Sequence, residues 1–95
     1  MSSNVNTQTN GASGQLLDVA GASKASGALV DQWPANGQTN QQWNVISLGG
    51  GAFELTSVNS GLTLSVVGGG TASGTDVDQL TYSDSTSQQW KFTAF

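Results

Sequence analysis

The side chains in this sequence that could do chemistry are carboxylates, amides and tryptophans. The six acidic residues are Asp18, Asp31, Glu54, Asp76, Asp78 and Asp84. Because the chain has no Cys and no His, it lacks a thiol nucleophile, the usual zinc ligands and the usual general base near neutral pH. Two possibilities remain: acid–base chemistry by paired carboxylates, or binding of an uncharged, hydroxyl-bearing ligand by carboxylates, amides and an aromatic face.

Acid–base chemistry is the weaker of the two possibilities. Glycoside hydrolysis needs two carboxylates about 5 to 9.5 Å apart in a cleft. Asp76 and Asp78 share one face of a predicted strand, but nothing beside them indicates a raised pKa or a substrate groove. We therefore expect a non-catalytic chain with no metal and no cofactor.

Charge and hydropathy exclude two classes of partner. Charged residues make up 8% of the chain, against about 25% in an average globular domain, and the net charge is −4 with only Lys24 and Lys91 basic. We expect no nucleic-acid partner and no anionic-lipid partner. No apolar run approaches the roughly 20 residues of a membrane span, and the first ten residues lack the basic and apolar regions typical of a signal peptide. Composition alone leaves localisation open.

The sequence repeats itself with a spacing of 47 residues. The segment 14–48 aligns without gaps over 61–95, with 14 identities in 35 positions. The pattern that the two copies share ends with "NQQW" in the first copy and with "SQQW" in the second copy. We interpret 1–95 as one region, with repeat 1 at about 1–48 and repeat 2 at about 49–95.

The local pattern predicts an all-β chain. Short alternating segments such as "FELTSV" and "LTLSVV" are separated by Gly- and Ser-rich turns, and no helical periodicity is present. We predict strands near 15–20, 28–33, 42–47, 53–58, 62–67, 76–81 and 89–94, with a weak eighth in "NVNTQTN". Gly27 and Gly74 are expected where φ is positive or two strands approach closely.

The motifs Leu-Asp-Val (17–19), Gly-Ala-x-Val-x-Gln-Trp (27–33) and Asn-Gln-x-Trp (40–43) resemble those of the ricin-type β-trefoil lectins. The resemblance covers nearly the whole chain. It implies a trefoil of three lobes, each closed by a Gln-x-Trp signature whose Trp enters a shared core. Gln41 with Trp43, and Gln88 with Trp90, match this signature. We predict that Trp43, Trp90 and Gln88 are structural.

Two lobes cannot close a threefold barrel. Either a third lobe has been removed, or several chains assemble into complete trefoils. We favour assembly, since half a core and unpaired strand edges would otherwise face water. Three chains would supply six lobes, which is enough for two trefoils, so a homotrimer is favoured.

The resemblance also implies a sugar site in repeat 1, formed by Asp18, Trp33, Asn40 and Gln41. In this hypothesis Asp18 accepts hydrogen bonds from vicinal hydroxyls, Trp33 stacks on the ring, Asn40 bonds a hydroxyl and Gln41 orients Asp18. Asp31 is a further hydroxyl acceptor. The expected ligands are galactose, lactose or GalNAc-type sugars in galactose-containing glycans.

Repeat 2 keeps the structural positions and loses the site. Ser65, Leu80 and Ser87 stand where repeat 1 has its Asp, Trp and Asn, so repeat 2 is expected to be inactive or weak. Other interpretations remain open. Asp18 could cap a turn, Trp33 could cover the core edge, and the Asp31 and Asp78 pair could support turns. The ligand could be a xylan-type polysaccharide, or the chain could be a structural or engineered self-assembling fragment with no or residual sugar binding. Secretion is expected if the chain is part of a natural carbohydrate-binding protein.

Overall fold

The computed structural model describes residues 5–92 and contains eight strands, the number that the pattern predicts. They are β1 (Val5–Asn6), β2 (Leu16–Val19), β3 (Val30–Trp33), β4 (Trp43–Gly49), β5 (Ala52–Ser57), β6 (Thr63–Val66), β7 (Val77–Leu80) and β8 (Trp90–Lys91). The weak first candidate is a strand of two residues, and the end of the predicted strand 89–94 lies outside the described residues. No α-helix occurs between residues 5 and 92, and no helix there is long and apolar enough to cross a membrane. The fold is all-β.

Every strand pairing of the first repeat recurs 47 residues later. β1 pairs with β4 as β5 pairs with β8, and β2 pairs with β3 as β6 pairs with β7, all antiparallel. The bridge between Thr9 and Leu16 likewise recurs between Thr56 and Thr63. The two copies are joined by the β4–β5 hairpin, whose register shifts between Ser47 and Gly49. The chain is thus two equivalent lobes of a partial β-trefoil.

Single 3₁₀ turns and glycines punctuate the strands at the same spacing. The turns are Ala20–Ala22, Thr39–Gln41, Val67–Gly69 and Thr86–Gln88. Gly27 and Gly74 have φ of +90° and +85°, as predicted, in a region that favours glycine because it has no Cβ.

The core lies between the two lobes and is small. Val19, Trp43, Leu55 and Leu64 form the buried apolar cluster. Trp43 is fully buried and donates its indole N–H to the Leu17 carbonyl at 3.1 Å, while Trp90 makes the equivalent bond to Leu64 at 3.2 Å. Trp90 itself is only partly buried. The second lobe therefore has less cover over its tryptophan than the first.

Candidate functional site

The β2–β3 hairpin places three of the predicted site residues together. Asp18 of β2 lies directly opposite Asp31 of β3, and Trp33 follows two residues after Asp31, on the same face of the strand. These side chains border a cavity of about 350 Å³. Trp33 is 56% exposed, so most of its surface is free for a ligand.

Asp18 is held in one orientation by two amides. It is only 4% exposed, and its Oδ2 accepts hydrogen bonds from Asn40 Nδ2 at 3.1 Å and from Gln41 Nε2 at 3.0 Å. Both donors lie in the 3₁₀ turn Thr39–Gln41, which precedes β4. A buried carboxylate needs such partners, because an unpaired charge away from water is costly. The same bonds fix where its second oxygen points.

Gln41 lies behind the cavity and does not line it. Its side chain is 1% exposed. Besides bonding Asp18, Gln41 donates to the Pro34 carbonyl at 2.9 Å and accepts from the Asn36 backbone N–H at 2.9 Å. It therefore ties the loop after β3 to the carboxylate and acts by positioning Asp18.

Asn40 lines the cavity with one polar atom still unused. Its Nδ2 donates to Asp18 and also to the Val19 carbonyl at 3.1 Å. Its Oδ1 is buried and has no hydrogen-bond partner among the described residues. Since buried polar atoms usually have a partner, this oxygen is a candidate acceptor for a ligand hydroxyl.

Asp31 is the more exposed member of the carboxylate pair. Partial burial raises the pKa of Asp31, and a hydrogen bond and the charge of neighbouring Asp18 raise that pKa further. Its carboxyl group therefore keeps its proton to higher pH than an ordinary aspartate and, when protonated, can donate to Asp18.

The cavity is also bordered by four residues whose side chains were not predicted to belong to the site. They are Gly21, Ala22, Asn36 and Gln38. Gly21 and Ala22 belong to the 3₁₀ turn Ala20–Ala22, and Ala22 has a positive φ of 54°, which is uncommon for a residue with a Cβ. The only sequence signal for Asn36 and Gln38 is their place in the loop between Pro34 and the Asn-Gln pair.

The equivalent position in repeat 2 retains the supporting glutamine and loses the Asp, Trp and Asn side chains of the repeat 1 site. Gln88 donates to the Thr81 carbonyl at 3.0 Å and accepts from the Ser83 N–H at 2.9 Å, as Gln41 does in repeat 1. Ser65 stands opposite Asp78 in the β6–β7 ladder, where repeat 1 has its two carboxylates.

Asp78 departs from the expectation that nothing raises its pKa. It is 6% exposed and its Oδ1 has no hydrogen-bond partner in the described part of the chain. Burial raises the pKa of Asp78. The sequence did not indicate this burial, since Leu29, the residue that forms a bridge with Asp78, belongs to the other repeat. Residues 5–92 contain no group of three or more His, Cys, Asp or Glu side chains placed to hold a metal ion.

Comparison with known proteins establishes the family. The model of the ricin-type β-trefoil lectin domain-like family matches residues 2–80 and 39–95, which together span almost the entire chain. This chain therefore belongs to that family. A search of characterised proteins by sequence found no match.

Solved structures agree with this assignment. The designed threefold-symmetric protein ThreeFoil is 36% identical, with a TM-score of 0.92 over 96% of this chain and 65% of ThreeFoil. An exo-β-1,3-galactanase from Clostridium thermocellum is 33% identical, with a TM-score of 0.93 over 100% of this chain and 20% of the enzyme. A Polyporus squamosus lectin bound to Neu5Acα2-6Galβ1-4GlcNAc is 23% identical, with a TM-score of 0.80. The chain thus spans less than two thirds of ThreeFoil and one fifth of the galactanase.

Proposed function

We propose that this chain is a non-catalytic carbohydrate-binding module that takes galactose-type sugars, such as galactose, lactose or GalNAc, in the cavity of repeat 1. The observation that favours this function is the fixed Asp18 carboxylate facing the same cavity as an exposed Trp33. A carboxylate for hydroxyl groups and a flat apolar face for C–H groups are the two elements that an uncharged sugar needs.

The hydrogen bonds of Asp18, Asn40 and Gln41 support the role that we propose for each of them in sugar binding. Asp18 accepts from two neighbouring sugar hydroxyls, and Trp33 stacks on the ring. Asn40 accepts a hydrogen bond from a sugar hydroxyl at Oδ1, because its Nδ2 already donates two hydrogen bonds within the protein. Gln41 keeps Asp18 in place without touching the sugar. Asp31 adds a second carboxyl group opposite Asp18.

The choice of galactose rests on the sequence resemblance together with a relative. The galactanase whose structure matches the whole chain acts, by its name, on a galactose polymer. A shallow site with one stacking aromatic is expected to bind in the range of about millimolar to tens of micromolar. Xylan-type polysaccharides are the alternative ligand of the same cavity.

Titration calorimetry with lactose tests this function. The wild type should release heat that saturates at millimolar lactose, and Asp18→Ala should abolish it. Glucose and xylose oligomers serve as competing ligands, and Ser65→Ala, the equivalent site in repeat 2, is the matched control. The proposal fails if lactose gives no heat at millimolar concentration, or if Asp18→Ala binds lactose as the wild type does.

A second proposal concerns how a trefoil of three lobes is completed from a chain that contains two. We propose that copies of the chain assemble into complete trefoils, because Trp43 is fully buried while its counterpart Trp90 is only partly so and Phe92 is 53% exposed. Light scattering should then give a mass of about 29 kDa, three times the chain mass of 9.7 kDa. A monomer at every concentration would refute it. Assembly would also give weak sites avidity through multivalency.

A further inference from the structure

A fully buried glutamine forms hydrogen bonds from one repeat to the other. Gln79 of β7 donates its Nε2 to the carbonyls of Ser23 at 3.0 Å and Ala25 at 2.9 Å in the other repeat. Its backbone N–H donates to Ala28 O at 3.0 Å, and its carbonyl accepts from Gly27 N at 2.6 Å. We call this set of bonds the lobe joint.

Each half of the lobe joint exists a second time in the chain, unfilled. Gln32 is the counterpart of Gln79 in repeat 1, and the segment 70–75 is the counterpart in repeat 2 of the turn 23–28. Gln32 Oε1 accepts from Ser13 Oγ at 2.8 Å, as Gln79 Oε1 accepts from Ser60 Oγ at 2.8 Å. The two glutamines therefore have the same orientation about this bond.

The two glutamines differ in their burial and in the hydrogen bonds of their Nε2 atoms. Gln79 is fully buried, whereas Gln32 is exposed and its Nε2 donates no hydrogen bond within residues 5–92. A second cavity of about 240 Å³ lies beside Gln32. At the opposite end, residues 70–74 are exposed to solvent. The Ala72 carbonyl accepts from Thr75 Oγ1 at 2.7 Å and from Thr75 N at 3.3 Å within its own turn. Neither this turn nor Gln32 Nε2 has the partner from another repeat that the joint supplies.

We propose that Gln32 and the segment 70–75 form two further lobe joints, with one repeat of a second copy of this chain placed between them. By the 47-residue correspondence, the copy's glutamine bonds the carbonyls of Gly70 and Ala72, and the copy's turn bonds Gln32. Either repeat of the copy has both halves. This inference rests on the self-assembly proposed above, and it identifies the contacts that drive it.

The number of copies follows from the geometry. The space between Gln32 and the segment 70–75 accepts one repeat. A copy that inserts one repeat there must place its other repeat in another chain. Three copies then complete two trefoils. The copy must open between its lobes at the β4–β5 loop. That loop contains Gly49, Gly50 and Gly51, all with positive φ, and glycine changes its backbone conformation at little steric cost.

One of the differences between the observed and the copied joint weakens the copied joint. Within the chain, Leu29 bridges Asp78. In the copied joint Asp76 takes the place of Leu29, and its neighbour is Asp31 or Asp78 of the copy. Assembly therefore places two carboxylates side by side. Like charges that face each other across strands are unfavourable. Asp76→Leu, which restores the residue of the observed joint, should therefore strengthen assembly.

The test measures solution mass by light scattering over a concentration series up to millimolar protein. Gln32→Ala removes the two amide donations of a joint and should weaken association at least about fivefold. Gln38→Ala removes an exposed amide that faces the repeat 1 cavity, so it is the matched control and should assemble as the wild type does. Thermal melting of each variant checks that the fold within the chain is intact.

The outcomes separate the joint from assembly itself. Assembly that Gln32→Ala weakens and Gln38→Ala leaves unchanged supports the joint. Assembly that Gln32→Ala leaves unchanged overturns the joint, while self-assembly stands. A monomeric wild type with an assembling Asp76→Leu variant supports the joint and overturns assembly of the natural sequence. If both are monomeric, both proposals fail, and neither result alters the calorimetric test of sugar binding.

Discussion

Replacing Trp33 by leucine separates a sugar-stacking role from a core-covering role. Leucine is the residue that repeat 2 has at the equivalent position, Leu80, so the fold tolerates it there. Trp33 is 56% exposed, which for a tryptophan surface of about 250 Å² leaves about 140 Å² free. A sugar ring lying on one face covers about half of this area, or about 70 Å².

The lost contact sets the expected magnitude. At about 25 cal/mol per Å², covering about 70 Å² of apolar surface contributes about 1.8 kcal/mol to binding, which corresponds to about twentyfold in the dissociation constant. Leucine keeps part of the apolar area and loses the flat face. We therefore expect Trp33→Leu to bind lactose about fivefold to twentyfold more weakly.

The assay combines calorimetry with thermal melting. A largely exposed side chain should change the free energy of unfolding by no more than about 0.5 kcal/mol, or about 2 to 4 °C in Tm for a domain of this size. Trp33→Phe, which keeps an aromatic face, should retain most of the affinity. An unchanged lactose affinity in Trp33→Leu would refute stacking. A fall in Tm of more than about 8 °C would show that Trp33 covers the core.

Three other perturbations follow from the same contacts. Asn40→Ser, which copies repeat 2, removes a buried hydrogen bond to the site carboxylate and a hydroxyl acceptor, so calorimetry should show at least about tenfold weaker binding. Burial raises the pKa of Asp78, so the folded chain holds this proton more tightly than the unfolded chain, and stability is lost as pH rises from 3.8 through the folded-state pKa. Asp78→Asn should therefore gain in Tm relative to the wild type as the pH rises above 3.8; the same dependence of Tm on pH in both proteins would contradict the burial argument. Gly27→Ala, at φ +90° with open space around it, should lower stability by about 1 kcal/mol through the backbone alone, while Ser26→Ala should leave the melting curve unchanged.

The sequence predicted the strands well because their signals are local. Alternation and Gly-rich punctuation repeat at a spacing of 47 residues, so each copy supported the interpretation of the other. The fixed relation between Asp18 and Gln41 was also accessible, since the resemblance assigns Gln41 the task of orienting that carboxylate, and the two side chains lie 3.0 Å apart.

The remaining features depend on contacts between distant parts of the chain. Asp31 and Asp78 are identical in the repeats, yet Asp31 is exposed and Asp78 is buried. Among the described residues Asp78 forms a bridge with Leu29 of the other repeat, and Asp31 has no such neighbour. The cavity walls at Asn36 and Gln38 come from an irregular loop that has no strand periodicity. The interlobe bonds of Gln79 required the packing of two lobes to become visible.

The indole signals in an ¹H–¹⁵N NMR spectrum test the sugar site most directly. The chain has three tryptophans, and Trp33→Leu identifies the signal of Trp33 by its loss. Titration with lactose should shift the Trp33 indole resonance in a saturable manner and leave that of fully buried Trp43 in place. A spectrum that does not change at millimolar lactose, or one in which Trp90 shifts and Trp33 does not, would contradict the assignment of the site to repeat 1.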